Sequence, residues 1–247
     1  MQFLTLKELL FLAVVFLTNI VQCITGFAGT VLAMPFSIML VGYNVAKPIL
    51  NALGLLASVW VVIFAFKKIN LKELVKIVLI MIAGMLAGFY LKTYVENNAS
   101  LLYKTLGIIV IIFAVMNAVK FYRKKEDKEL PAAVSALLLV ISGIVHGMFV
   151  CGGPLLVTYA NAKLKDKDEF RGTLSACWIL LNGIIAFTDI RGGYFTPPTI
   201  KLTLISVAVL AAALITGNLI YKKMSRNVFL QLTYLLMLIS GISLIIK

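Results

Sequence analysis

The chain is poor in charged residues, and poorest in acidic ones. Only 13% of its 247 residues are charged, with 10 Asp and Glu against 23 Lys and Arg, whereas a soluble domain carries about 25%. With 62% hydrophobic residues and a mean hydropathy of +1.03, too little polar surface exists to cover a globule in water. The composition excludes an ordinary soluble domain and predicts a chain solvated by the lipid bilayer.

The residues that an intramembrane enzyme needs are also scarce. The chain has one histidine, His146, and no acidic residue in the middle of an apolar segment, which leaves no metal cluster and no aspartyl pair. Three cysteines, all in apolar segments, argue against a disulfide framework. No Walker-type loop is present, so ATP is not hydrolysed by this chain. We expect no enzyme activity and no cofactor.

The basic residues follow the connections between apolar segments. A formal net charge of +13 would suggest nucleic acid as the partner of a soluble protein. Here Lys and Arg form short runs between hydrophobic stretches, which is typical of the positive-inside rule. We therefore expect no nucleic-acid partner, and a multi-pass protein of the cell membrane whose surroundings are the lipid bilayer. A homodimer is compatible with the sequence, which does not fix the oligomeric state.

Two glycine-rich stretches are copies of one another. The first is IVQCITGFAGTVLAMP at 20–35, and the second is IVHGMFVCGGPLLVTY at 144–159. A shift of 124 positions superimposes them and places Gln22 on His146. Duplicated glycine-rich breaks in hydrophobic segments, one in each half, indicate the central site of a transporter. The same register pairs Gly29 with Gly153, Lys47 with Arg171, and Asn51 with Ser175.

Eight apolar segments are long enough to be predicted as membrane helices, four in each half. A charged linker at 122–130 separates a first transmembrane repeat at 1–121 from a second at 131–247. The third segment of each half carries a pair of small residues four positions apart, which allows close helix packing. These pairs are Gly84 with Gly88, and Ala213 with Gly217. The predicted segments are 9–25, 48–66, 74–91, 101–121, 131–149, 174–187, 198–221 and 228–246.

The short stretches after the two breaks, 30–42 and 154–162, decide the topology. If they extend the preceding helices, the chain crosses eight times and the basic residues divide 13 to 10 between the faces. If each turns the chain back, every half has five limbs and the division becomes 16 to 7. The stronger bias favours the second arrangement. We predict an all-α polytopic protein of two inverted repeats, each with four long helices and one short turned-back limb, with both termini outside. Whether the short limbs cross fully is left open.

The motif residues resemble those of a known transporter family. Gln22, Thr25, Gly26 and Gly29 in the first half, with 151–154 (Cys-Gly-Gly-Pro) in the second, are similar to the TauE/SafE family of sulfite and organosulfonate exporters. The resemblance covers essentially the whole chain. It implies a secondary transporter that carries sulfite or an organosulfonate by alternating access, driven by a proton gradient or the membrane potential. The alternative is a channel, or a carrier of another small anion such as a carboxylate.

The glycines and prolines of the motifs have a specific chemical consequence. Glycine accepts positive φ and lets a backbone or ligand approach closely, and proline favours a helix start. We expect this of Gly26, Gly29, Gly152 and Gly153, and of Pro35 and Pro154. Free N–H groups at the start of a short helix suit an oxyanion. The alternative is that the glycines are packing surfaces only.

Polar residues near the breaks complete the predicted anion site. His146, whose unperturbed pKa is about 6.5, could line the site and carry a proton, or be a neutral helix contact. Lys47 and Arg171 begin the helices after the breaks and could attract an anion, or be ordinary interface charges. We interpret Asp189 as part of a surface ion pair and Trp178 as a packing or interface residue. The candidate substrate-binding residues are Gln22, Thr25, Gly26, Gly29, Lys47, Asn51, His146, Gly152, Gly153, Pro154, Arg171 and Ser175.

Overall fold

The computed structural model describes residues 4–95, 99–123 and 130–246, and within these ranges every regular element is helical. A single 3₁₀ turn, Phe66–Lys68, follows the third α-helix. The α-helices are α1 Leu6–Thr25, α2 Ala28–Val41, α3 Tyr43–Ala65, α4 Leu71–Val95, α5 Ala99–Tyr122, α6 Ala132–Phe149, α7 Gly153–Lys163, α8 Lys167–Arg191, α9 Pro197–Lys222 and α10 Arg226–Ile246.

Each half contains four long helices and one short helix, as predicted. In the described ranges, six helices (α1, α3, α4, α6, α8 and α9) are long and apolar enough to cross a membrane. Large apolar side chains face outward along them, including Leu17, Ile63 and Leu79. Outward-facing apolar surface of this extent fits lipid and not water. The chain is an all-helical, multi-pass membrane protein.

Two helices begin at least five residues earlier than predicted. The third begins at Tyr43 instead of 48, and the eighth begins at Lys167 instead of 174. In α8 the polar first turn is stabilised by Asp166, whose side chain accepts hydrogen bonds from the N–H groups of Asp168 and Glu169. Hydropathy misses such turns because their residues are polar. Lys47 and Arg171 are therefore each the fifth residue of their helix and do not begin it.

Both breaks turn the chain back on itself. A Cβ added at Gly29 would lie 2.5 Å from the Cβ of Gln22, so the start of α2 packs against the last turns of α1. In the second half, a Cβ added at Gly152 would lie 2.5 Å from the carbonyl oxygen of Ser142 and 2.9 Å from the Cβ of His146. At 14 and 11 residues, α2 and α7 measure about 21 and 17 Å. Neither can cross a hydrocarbon core of about 30 Å alone.

Small residues let α4 and α6 run in contact. A Cβ added at Gly84 would lie 2.3 Å from the carbonyl oxygen of Val140, and one added at Gly88 would lie 2.3 Å from that of Ile144. These distances are shorter than any real contact, so only glycine fits. The two contacts advance in the same direction along both helices, which shows that α4 and α6 are parallel.

The repeat-related pair, α9 of the second half and α1 of the first, packs in the same way. A Cβ added at Gly217 would lie 2.9 Å from the carbonyl oxygen of Ile20. The 124-residue register places Ile20 on Ile144, which is the residue that Gly88 contacts. The predicted small-residue pairs are thus used at equivalent places, each against the first helix of the opposite half.

The remaining long helices pair antiparallel across the two halves. In α3 and α8, the Asn51 side chain reaches the Asn182 carbonyl, while Ala65 lies beside Gly172. A later residue of α3 therefore contacts an earlier residue of α8, so the two helices are antiparallel. The second antiparallel pair is α5 and α10, in which Gly107 and Gly241 face one another.

The connections rich in basic residues lie at one end of the bundle. Asn70, between α3 and α4, donates to the Glu169 carboxylate at the start of α8, at 2.9 Å. Lys167 donates to the Met224 carbonyl, between α9 and α10, at 2.7 Å. Because α6 is parallel to α4, its start lies at this end too. The linker predicted at 122–130 falls mostly outside the described residues, and the division into repeats at 1–121 and 131–247 stays a prediction.

Candidate functional site

The two breaks meet around one buried cavity. A Cβ added at Gly153, the first residue of α7, would lie 3.1 Å from the Phe27 carbonyl oxygen in the first break. The cavity volume is about 10 Å³, which is close to the least that holds one water molecule. Its walls come from both halves of the chain. The lining residues are Gln22, Phe27, Thr30, His146, Val150, Gly153, Trp178 and Asn182.

Side chains of α1 accept hydrogen bonds from the N–H groups of the first break. The Gln22 side-chain oxygen accepts from the N–H of Gly29 at 2.8 Å. The Thr25 hydroxyl accepts from the N–H groups of Phe27 and Ala28 at 3.4 and 3.3 Å. The start of α2 therefore presents fewer free N–H groups than the sequence suggested, because two side chains of α1 act as its caps.

The second break leaves polar groups without partners. The N-cap residue of α7, Gly152, has no side chain with which to cap the helix. Both ring nitrogens of His146 are buried and make no hydrogen bond within the described residues, although the Asn182 side chain is close enough to interact. The Asn182 side-chain oxygen is also buried without a partner. Unsatisfied groups that line a cavity are the groups that a bound polar ligand would satisfy.

Five of the eight lining residues were not predicted as site residues. Two of them, Trp178 and Asn182, come from α8 and lie outside the breaks. Trp178 donates its indole N–H to the Gly26 carbonyl at 2.7 Å and so joins α8 to the first break. Its ring also lies 4.9 Å, centre to centre, from that of His146. A sequence signal existed, because Ser175, Trp178 and Asn182 are spaced i, i+3 and i+7 and share one helix face. Trp178 is thus a structural link at the site and not an interface residue.

The predicted residues Asn51 and Ser175 lie on the helices next to the cavity. The Asn51 side chain donates to the Asn182 carbonyl at 3.1 Å. Ser175 is fully buried, and its hydroxyl has no partner within the described residues. A Cβ added at Gly26 would lie 3.5 Å from that hydroxyl. Both residues are therefore adjacent to the breaks, although neither is part of the cavity wall.

Lys47 is placed differently from the prediction. It is 6% exposed and forms an ion pair with Asp189 of α8, which is 1% exposed. The interpretation of Asp189 as a surface residue is wrong, because the α3–α8 contact covers its position. An amine bound to a carboxylate attracts an external anion far less than an amine alone.

Arg171 is also buried, at 4% exposure, but its contacts differ. One of its terminal nitrogens donates to the Cys23 sulfur at 3.3 Å. Its guanidinium lies 3.9 Å from the ring centre of Tyr221, a cation–π contact. The two repeat-related cations therefore have different environments.

The backbone of the breaks departs from the prediction in two ways. Of the four motif glycines, only Gly26 has a positive φ, +80°. The equivalent position in the second break is Val150, with φ +59°. Gly29, Gly152 and Gly153 serve close packing instead. Pro154 stands in the first turn of α7, as predicted, whereas Pro35 lies inside α2 and does not start it.

Comparison with known proteins identifies a family. A family model described as "Sulfite exporter TauE/SafE" matches residues 11–244, which is nearly the whole chain. No curated protein and no solved structure gave a match.

Proposed function

The chain belongs to the TauE/SafE family of sulfite exporters, and on that premise we propose that it is a secondary transporter of sulfite or an organosulfonate across the cell membrane. Members of this family are transporters and not enzymes, so the chain is a multi-pass membrane transporter.

One observation supports the anion site most strongly. The first turns of α2 and α7, represented by Thr30 and Gly153, line the same buried cavity. A helix N-terminus offers N–H donors and a partial positive charge, both of which favour an oxyanion. The Asn182 amide adds a side-chain dipole from α8. In this proposal the substrate binds where the two breaks meet, within reach of His146.

The size and position of this cavity support alternating access. Room for one water is too little for sulfite, so the protein must open to admit it. The equivalent contacts of Gly88 with Ile144 and of Gly217 with Ile20 support two repeats related by a two-fold axis. The parallel pairing of α4 with α6 supports an inverted relation between them. Rocking of one repeat against the other would then expose the cavity to each face in turn.

Proton coupling is assigned to His146. It is the only histidine of the chain. It lines the cavity, and its ring nitrogens make no hydrogen bond within the part of the chain that the structure describes, although the Asn182 side chain is close. A histidine in this position can accept a proton together with the anion, which would move the pair at a lower cost in buried charge.

Transport in proteoliposomes tests the proposal. The purified protein is expected to move labelled sulfite or a sulfonate, faster under a pH gradient, with thiosulfate and a carboxylate as competing candidates. Counterflow distinguishes a carrier from a channel, because only a carrier accumulates label against an excess of unlabelled substrate. Movement of the carboxylate alone, or no movement of any anion, would contradict the proposed substrate.

A further inference from the structure

Two buried cations, Lys47 on α3 and Arg171 on α8, stand at equivalent helix positions, and only Lys47 has a carboxylate beside it. Lys47 and Arg171 are the fifth residues of the two helices and match in the repeat register. Lys47 is paired with Asp189. Within the described residues, no carboxylate lies within ion-pair distance of Arg171.

The repeat register identifies the residue that corresponds to Asp189. A shift of 124 positions leads from Asp189 to Ala65, the last residue of α3. Packing agrees with this equivalence, because a Cβ added at Gly172 would lie 3.0 Å from the Cβ of Ala65. Ala65 thus faces α8 next to Arg171. The chain has a methyl group at one end of the α3–α8 contact where it has a carboxylate at the other.

The donors of Arg171 are poorly used in this arrangement. It donates to the Cys23 sulfur, which is a weak acceptor, and its guanidinium also interacts with the Tyr221 side chain. Its Nε is buried without a partner, and so is the hydroxyl of Ser175 one turn further along α8. Asp168, near the start of the same helix, accepts a hydrogen bond from the Tyr221 hydroxyl at 2.6 Å. A buried guanidinium that lacks a counter-ion is costly unless an anion joins it.

We propose that Arg171 forms a second anion subsite, in which the oxyanion takes the place that the Asp189 carboxylate has beside Lys47. The subsite rests on the proposed function, since its ligand is the transported anion. A guanidinium binds two oxygens of one sulfite or sulfonate group at once, and the Ser175 hydroxyl supplies a third donor. Cys23 and Tyr221 form the walls.

The position of the subsite gives it a role in the transport path. Arg171 precedes Trp178 by seven residues, or about 10 Å along the helix, so the subsite is separate from the central cavity. It lies near the end of the bundle where the basic connections gather, the end that the positive-inside rule assigns to the cytoplasm. An anion that arrives from that side binds here first. At the opposite end Asp189 occupies the equivalent place, which makes the path asymmetric.

The experiment supplies the missing carboxylate. Sulfite and methanesulfonate binding to purified protein is measured by titration calorimetry for the wild type, Ala65→Asp, Ala65→Asn and Arg171→Gln. Ala65→Asp is expected to weaken binding roughly tenfold to a hundredfold, the range of charge-assisted hydrogen bonds, because the new carboxylate neutralises Arg171. Ala65→Asn, which has the same shape without the charge, is expected to bind more nearly as the wild type does. Arg171→Gln is expected to match Ala65→Asp, and it keeps the test valid if the aspartate variant fails to fold.

Transport of the same variants separates the subsite from the proposed function. If the wild type transports sulfite but Ala65→Asp and Arg171→Gln bind it as tightly as Ala65→Asn, the subsite is wrong and the function stands. If sulfite binds to the wild type and is lost with Ala65→Asp but is not transported, the subsite stands and the function fails. The absence of both binding and transport overturns both.

Discussion

The two breaks perform the same turn with different side chains. In the first, Gly26 takes the left-handed conformation, and Gln22 accepts the N–H of Gly29. In the second, Val150 takes that conformation, and His146, which replaces Gln22 in the repeat, makes no hydrogen bond within the described residues. The N–H groups of the first break are paired with side chains of α1 and its Gly26 carbonyl with Trp178, whereas the second break leaves both ring nitrogens of His146 unpaired at the cavity.

Because of this difference, the two breaks are expected to contribute differently to stability and to ligand binding. A break whose polar groups are all paired is stable without a ligand. A break with unpaired groups gains most when a ligand pairs with them. We therefore expect changes in the first break to act mainly on folding, and changes in the second to act mainly on binding and transport.

The largest effect is expected at the α3–α8 contact, where the two halves also differ. Asp189→Asn leaves Lys47 buried without its counter-ion, and we expect a loss of about 3 to 5 kcal/mol in the free energy of unfolding. Thermal unfolding in detergent measures it. The double variant Lys47→Met with Asp189→Leu removes both charges and should lose much less. Equal losses in the single and double variants would show that the charge is not the cause.

Close packing at the turns gives the next largest effect. Gly29→Ala and Gly152→Ala each bring a Cβ to 2.5 Å from an atom of the preceding helix. We expect each to lower the free energy of unfolding by about 1 to 3 kcal/mol through overpacking. Gly183→Ala is the control, because its Cβ would meet nothing closer than 3.8 Å. If Gly183→Ala lowers the melting temperature as much, the turned-back packing is not responsible.

The left-handed positions should respond unequally to exchange. Gly26→Val introduces a branched side chain at φ +80° and should cost about 2 kcal/mol, from backbone strain and from contact with the Arg171 carbonyl. Val150→Gly should change stability by less than about 1 kcal/mol, because relief of strain offsets the lost burial of the isopropyl group. Both are measured as melting temperatures. A large loss of stability for Val150→Gly, with none for Gly26→Val, would contradict this account of the two left-handed positions.

The sequence predicted the parts of this fold that repeat or have a visible spacing. The breaks, the short helices and the Gly84–Gly88 packing follow from glycine positions and charge distribution. The burial of Asp189 could not be predicted, because its partner is 142 residues away and its own surroundings, DIRGGYF, are typical of a helix end. A one-residue difference was also hidden, since Gly152 and not Gly153 makes the contact equivalent to that of Gly29.

The smallest structural effect is expected at the site of proposed proton coupling. His146→Gln makes the second break match the first. It should leave the melting temperature nearly unchanged, because a glutamine at 146 can accept an N–H of the second break as Gln22 accepts that of Gly29 in the first. Transport under an imposed pH gradient should lose its dependence on that gradient, while transport without one should persist. Gln22→His is the matched control, and it is not expected to create a second coupling site. Unchanged pH dependence in His146→Gln would contradict the role of the histidine.

The central claim is that a small oxyanion is transported through the place where the two breaks meet. Counterflow of labelled sulfite in proteoliposomes, with the wild type and Asn182→Leu compared at equal amounts of folded protein, tests it most directly. Leucine has the same branched shape as asparagine and removes the amide of Asn182 from the cavity. The account predicts accumulation of label by the wild type and a severe loss in the variant. No accumulation by the wild type, or equal accumulation by both proteins, would contradict it.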